Sequence, residues 1–147
     1  MRDRLIKFLA TGLGVGYTPL APGLAGSLVG LGWWWLARDA LWLIPVGAII
    51  AVGIADWAAK LMGHLDPPSV VIDEICAVPI ALLGLTHRWE LITAFLLFRL
   101  FDVWKPWPIQ QLQALPGGLG IVADDLLAAG YACAFTQGIG LLISRFA

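Results

Sequence analysis

Leu126-Leu127-Ala128-Ala129-Gly130-Tyr131-Ala132-Cys133-Ala134-Phe135-Thr136-Gln137-Gly138-Ile139-Gly140-Leu141-Leu142-Ile143-Ser144 carries no charge from end to end. Its length is close to the ~20 apolar residues that an α-helix needs to cross a bilayer. Lipid offers the backbone no hydrogen-bond partner, so a crossing segment must close its own bonds, most simply as a helix. Other charge-free runs follow the same pattern. Gly23 to Leu36, Ala40 to Ala55, Ile75 to Thr86, and Leu91 to Phe98 running on into Arg99 and Asp102 read as further embedded helices. Several are short, so they must be tilted, extended by boundary residues or partly inserted. Phe8 to Pro22 is also uncharged, but its glycines and prolines oppose a regular helix. The expected fold is all-α: a polytopic integral membrane helical bundle of about four to five membrane-embedded helices. A glycine-rich re-entrant N-terminal segment precedes them, and residues 1–147 form a single domain.

Composition agrees. Of 147 residues, 60% are hydrophobic and 13% charged, against about 25% charged in soluble domains. A net charge of −1 gives no basic balance for nucleic acid. Cys76 and Cys133 both lie in apolar runs and read as small packing residues. Arg2, Arg4 and Lys7 precede an apolar stretch without a cleavage site, so the N-terminus is expected to be mature and cytoplasmic.

With that end inside, Lys60, Arg99 and Lys105 join it on the inner face, while Arg38, Arg88 and Arg145 fall outside, the direction of the positive-inside bias. Trp33, Trp34, Trp35, Trp42 and Trp89 collect at the outer boundary, and Trp57, Trp104 and Trp107 at the inner one. Asp56, Asp66, Asp73, Glu74, Asp102, Asp124 and Asp125 all map to the inner side. Ionisable groups at a membrane are costly, and such a gathering points to a functional site.

Four segments converge there. Gly12 to Ser27 is rich in glycine, which lets backbone amides approach an anion, yet it lacks the lysine of a nucleotide-binding phosphate loop. A flexible connection would explain it equally. In Asp66-Pro67-Pro68-Ser69-Val70-Val71-Ile72-Asp73-Glu74 the prolines hold the chain extended before two acids open an apolar helix. Carboxylates without histidine or thiolate suit Mg²⁺; alternatively the acids only complement a helix N-terminus. In Phe98-Arg99-Leu100-Phe101-Asp102-Val103-Trp104-Lys105-Pro106, Arg99 and Asp102 share a helix face and Pro106 stops the helix. Arg99 offers a planar fork for phosphate and Lys105 a point charge; Asp102 is either a metal ligand or Arg99's partner. Gly117-Gly118-Leu119-Gly120-Ile121-Val122-Ala123-Asp124-Asp125 again sets paired acids after a glycine-rich bend, expected to open a helix. His64 and His87 receive no role.

Jointly these motifs resemble the phosphatidylglycerophosphatase A family, from about Ala10 to Ala128. Gly14, Gly16, Pro19, Pro22, Gly23, Gly26 and Ser27 match its first motif; Asp66, Ser69, Asp73 and Glu74 the second. Arg99, Asp102, Lys105, Pro106, Pro108 and Ile109 match the third, and Gly117, Gly118, Gly120, Ile121, Asp124 and Asp125 the fourth. Leu24 stands where the family has threonine and Ala129 where it tends to have glycine.

The resemblance implies an enzyme of the cytoplasmic (inner) membrane that hydrolyses the lipid phosphatidylglycerophosphate to phosphatidylglycerol, its site on the cytoplasmic face. Asp66, Asp73, Glu74, Asp124 and Asp125 are then the expected Mg²⁺ ligands. Asp73, Glu74, Asp102, Asp124 and Asp125 are the expected catalytic acids, and Arg99, Lys105, Ser27 and Gly26 the phosphate contacts. An ion- or proton-coupled transporter is the alternative, which predicts acids spread through the bilayer depth.

Overall fold

The computed structural model describes residues 1–146 and contains no strand among them. Seven helices follow one another: α1 Arg2–Ala10, α2 Pro22–Ala37, α3 Leu43–Met62, α4 Ile72–Ala81, α5 Arg88–Trp104, α6 Ile109–Leu112 and α7 Gly118–Phe146. A short 3₁₀ turn, Val15–Tyr17, lies between α1 and α2.

The small residues are inside and many of the large apolar ones outside. α2 buries Gly26, Ser27, Gly30 and Ala37. α3 buries Ala48, Ala51, Ala55, Ala58 and Ala59 at helical spacing, and α7 buries Ala128, Ala129 and Ala132. Ile49 and Ile50 on α3, Ile92, Leu96 and Leu100 on α5, and Leu141 and Leu142 on α7 face outward. A water-soluble bundle would bury those side chains. In lipid they cost nothing, and small interior residues let helices approach closely. α3 and α7 are long and apolar enough to cross a membrane. α2 and α5, with 16 and 17 residues, extend about 24–26 Å at ~1.5 Å per residue.

Short links make successive helices antiparallel. The starts of α2, α4 and α7 and the ends of α3 and α5 share one pole of the bundle, because Ser27 meets Arg99, Asp56 meets Gly118 and Arg99 approaches Glu74. α4 is central, packed by α2, α3 and α7, with α5 lying chiefly along α7 and α1 along α3. It has 10 residues and gives way to a turn in which Leu83 and Gly84 are exposed. Its terminal region is satisfied from α7: Gln137 Nε2 donates to the Leu83 carbonyl at 3.1 Å and Cys133 Sγ at 3.3 Å.

Boundaries differ from the sequence reading in three instructive ways. α1 was not expected, because Arg2, Arg4 and Lys7 interrupt the apolar pattern; its Ala10 carbonyl accepts from Val71 N–H at 2.9 Å. α3 runs past Ala55 to Met62, since Asp56 and Lys60 neutralise each other one turn apart at 2.6 Å. α7 starts at Gly118, so Asp124 and Asp125 lie well inside the helix and do not open it. Glycine at 118 is required by packing, because a Cβ there would stand 2.9 Å from Asp56 Cβ and closer still to the Val52 carbonyl.

Candidate active site

Asp73 and Glu74 are the second and third residues of α4, where a helix start favours negative charge. α7 brings Asp125 against them. One carboxylate oxygen from each of Asp73, Glu74 and Asp125 lies within 4.8 Å of the others. Asp73 Oδ1, Glu74 Oε2 and Asp125 Oδ2 are buried without a hydrogen-bond partner. Orphaned carboxylate oxygens are rare in protein interiors and need an explanation. α4 is too short to cross a bilayer, and on it burial drives the Asp73 carboxyl far above its usual range, with the charges of Glu74 and Asp125 adding to the rise. Burial raises Glu74 as well, against the pull of Arg99. Three such groups need a proton or a cation among them. Hard oxygen donors with no sulfur or nitrogen suit a hard divalent cation, so this donor set fits Mg²⁺.

The cationic half comes from α5. Arg99 Nη1 sits 2.8 Å from Asp102 Oδ2 and 4.0 Å from Glu74 Oε1. It also donates to Ser27 Oγ at 3.2 Å, while the Ser27 hydroxyl donates to the Gly23 carbonyl at 2.9 Å. Gly23 has no side chain because a Cβ would collide with Glu74 Oε1 and stand 2.9 Å from Arg99 Nη2. At the end of α5, Lys105 takes a left-handed conformation (φ 47°) and pairs with buried Asp124. Desolvation works against the Lys105 charge, but its bond to Asp124 prevails and holds its pKa above the ordinary value.

Two predicted residues stand apart. Asp66 is exposed, with only Gln113 Nε2 nearby at 3.5 Å, and is not part of the Asp73–Glu74–Asp125 group. Gly26 lies against α4: a Cβ there would be 2.7 Å from Val71 Cβ. One residue left out of the sequence-based site supports it. Asp56 Oδ1 accepts from Gly118 N–H at 3.3 Å at the start of α7. Its spacing of four from Lys60 was the available signal.

The family model described as phosphatidylglycerophosphatase A matches residues 8–139. A phosphatidylglycerophosphatase A from Escherichia coli K12 is 36% identical over 140 residues, covering 90% of this chain and 81% of that protein. Its Haemophilus influenzae counterpart is 37% identical over 137 residues, covering 86% and 83%. A Bacteroides thetaiotaomicron protein, named provisionally as a phosphatidylinositol-3-phosphatase, is 34% identical over 137 residues, covering 84% and 86%. No solved structure matches significantly.

Proposed function

The chain belongs to the phosphatidylglycerophosphatase A family and is a phosphatidylglycerophosphatase, and on that premise we propose how its residues carry the reaction. The substrate is the membrane lipid phosphatidylglycerophosphate, and the products are phosphatidylglycerol and inorganic phosphate. Asp73, Glu74 and Asp125 would hold Mg²⁺, a reading supported by one orphaned oxygen on each and by carboxylate oxygens that come within 4.8 Å of one another. When bound, the ion supplies Lewis acidity to the phosphoryl oxygens and lowers the pKa of the attacking water.

The remaining chemistry belongs to the chain. Arg99 presents its guanidinium fork to two phosphoryl oxygens, and Asp102 and Ser27 fix the plane of that fork. Lys105, held by Asp124, adds a second positive charge where negative charge grows in the transition state. Five carboxylates (Asp73, Glu74, Asp102, Asp124 and Asp125) face only two cations, so a divalent ion among them removes most of the excess negative charge that opposes phosphate. A water oxygen forms the new bond to phosphorus as the bond to the glycerol oxygen breaks. The glycerol oxygen leaves as a hydroxyl, taking up the equivalent of the proton that the attacking water gives up.

The domain is one membrane-embedded unit. α2, α3, α5 and α7 cross, α4 enters from the active-site pole, and the Thr11–Ala21 segment forms a re-entrant turn beside it. Lys60, Arg99 and Lys105 at that pole favour the cytoplasmic side of the inner membrane. The lipid's acyl chains then stay in the bilayer while its phosphate reaches the acids. Acids gathered at one pole do not support the transporter alternative.

Phosphate release from phosphatidylglycerophosphate in detergent micelles, with Mg²⁺ and with chelator, tests the proposal. Phosphatidic acid and phosphatidylinositol 3-phosphate serve as controls. Mg²⁺-dependent release from the first lipid is expected. Release unchanged by chelator would overturn the metal assignment and leave the substrate standing.

A further inference from the structure

We propose that the groove between α2 and α5 is the binding site for the diacylglycerol part of the lipid substrate, with Leu24 and Leu28 as one wall and Leu96 and Val103 as the other. The proposal rests on the lipid-phosphatase reading above and extends it to the apolar half of the substrate.

Both helices border α4, and neither packs extensively on the other. What joins them is a polar bridge, the hydrogen bond of 3.2 Å from Arg99 to Ser27. Helical periodicity then fixes which side chains flank that bridge. Successive residues turn by about 100°, so Leu24 lies roughly 60° round α2 from Ser27, and Leu28 about 100° in the same sense. Gly26 falls on the opposite side of Ser27, against Val71 just before α4. On α5, Val103 and Leu96 lie roughly 40° and 60° from Arg99, away from Asp102.

The two helices run antiparallel, so these equal rotations bring both sets of leucine and valine side chains to the same outward face. All four are exposed, Leu24 at 42%, Leu28 at 55%, Leu96 at 62% and Val103 at 76%. The result is a furrow with apolar walls and a cationic floor. Beneath the floor lie the partly exposed carboxylates of Glu74 and Asp102.

This layout matches the order of groups in a phospholipid monoester. Acyl chains lie between the walls, at membrane depth, and the charged head turns inward to Arg99. The exposed Ile49 and Ile50 of α3 adjoin none of the site's cations, and Leu141 and Leu142 of α7 border Arg145, at the end of the bundle away from the acids. A threonine at position 24, as in the resembling family, would make this wall more polar; Leu24 makes it fully apolar.

The test compares dioleoyl and dihexanoyl phosphatidylglycerophosphate as substrates for Leu24→Trp and Val103→Trp, with Ile49→Trp on α3 as control. We expect kcat/KM for the long-chain lipid to fall about tenfold in both groove variants, with the short-chain value within about twofold of wild type. Ile49→Trp should change neither. A second measurement uses the dioleoyl lipid with a diazirine on its acyl chain. Photolabelling should concentrate on α2 and α5 and be competed by unlabelled lipid. Groove variants that behave like Ile49→Trp, or labelling spread evenly over α3 and α7, would overturn the proposal. Wild-type protein that releases phosphate from neither lipid would instead overturn the phosphatase reading beneath it.

Discussion

Asp56 on α3 and Gly118 at the start of α7 are joined by a hydrogen bond of 3.3 Å, with Lys60 holding the second Asp56 oxygen at 2.6 Å. This contact caps α7 from a neighbouring helix and sets the register that puts Asp125 against Asp73 and Glu74 and Asp124 against Lys105. Replacing a capping acceptor by alanine costs about 1 kcal/mol. Asp56→Ala should therefore lower the thermal midpoint and raise the Mg²⁺ concentration needed for half-maximal activity by about three- to tenfold. Asp56→Asn keeps an oxygen acceptor and should recover most of the metal response. An alanine variant with unchanged metal response would show that Asp56 does not position the acids.

Asp73 and Asp125 invite a double readout. Each is buried with an orphaned oxygen beside like charges. Asparagine at either position should reduce turnover by at least about a thousandfold if both serve the metal. The same changes relieve repulsion, so metal-free stability should hold or rise while stabilisation by Mg²⁺ disappears. Thermal melts with and without Mg²⁺ check this. Acid quench after reaction with labelled lipid also separates the mechanisms: phosphate retained on the protein would mean that a carboxylate attacks phosphorus in place of water.

Asp66 should behave differently from those two. It is exposed and not a member of the buried acid group, so Asp66→Asn is expected to cost less than about tenfold in kcat/KM. A loss matching that of Asp73→Asn would require the Pro67–Pro68 loop to bring Asp66 inward during turnover.

The contrast between Asp66 and Asp125 marks how far the sequence was legible. Charge-free runs and clustered acids sufficed for an all-helical fold and for the pole at which the acids collect. They could not rank the acids, because burial depends on which helix face meets a neighbour, and that is decided by long-range packing. Asp66 follows a loop and stays in solvent, whereas Asp125 lies on the same face of α7 as Ala128, Ala129 and Ala132, which pack inward. The helical start at Gly118 was hidden for a related reason. Glycine disfavours helix locally, and only the tight approach of Val52 and Asp56 shows why glycine is needed there. α1 escaped because its charges face outward along a helix whose buried side is short.

Arg99 should be sensitive to shape as well as charge. Its Nη1 reaches both Asp102 and Ser27, at 2.8 Å and 3.2 Å, which orients the fork, and a lysine cannot reproduce a planar pair of donors. Arg99→Ala should lower kcat/KM by about a thousandfold and Arg99→Lys by about a hundredfold, with most of the lysine loss in kcat. Ser27→Ala removes one orienting contact and leaves the charge, so a loss of about three- to tenfold is expected. Equal losses for lysine and alanine at position 99 would mean that a two-point grip on phosphate plays no part.

The far end of α4 gives a prediction about stability alone. Gln137 donates to the Leu83 carbonyl at 3.1 Å, satisfying backbone left open in the turn that follows α4. Cys133 Sγ makes a weaker contact to the same carbonyl at 3.3 Å. Inside a membrane, interhelical hydrogen bonds are worth about 0.5–1 kcal/mol, because the unpacked state also finds partners. Gln137→Leu should therefore lower unfolding stability in detergent by roughly that amount. Cys133→Ala alone should do less, and the pair together more than either. Activity at low temperature should stay near wild type in all three, since this contact lies at the pole opposite Asp73 and Asp125. A large loss of activity in Gln137→Leu without a loss of stability would show that the end of α4 is coupled to the acids at its start.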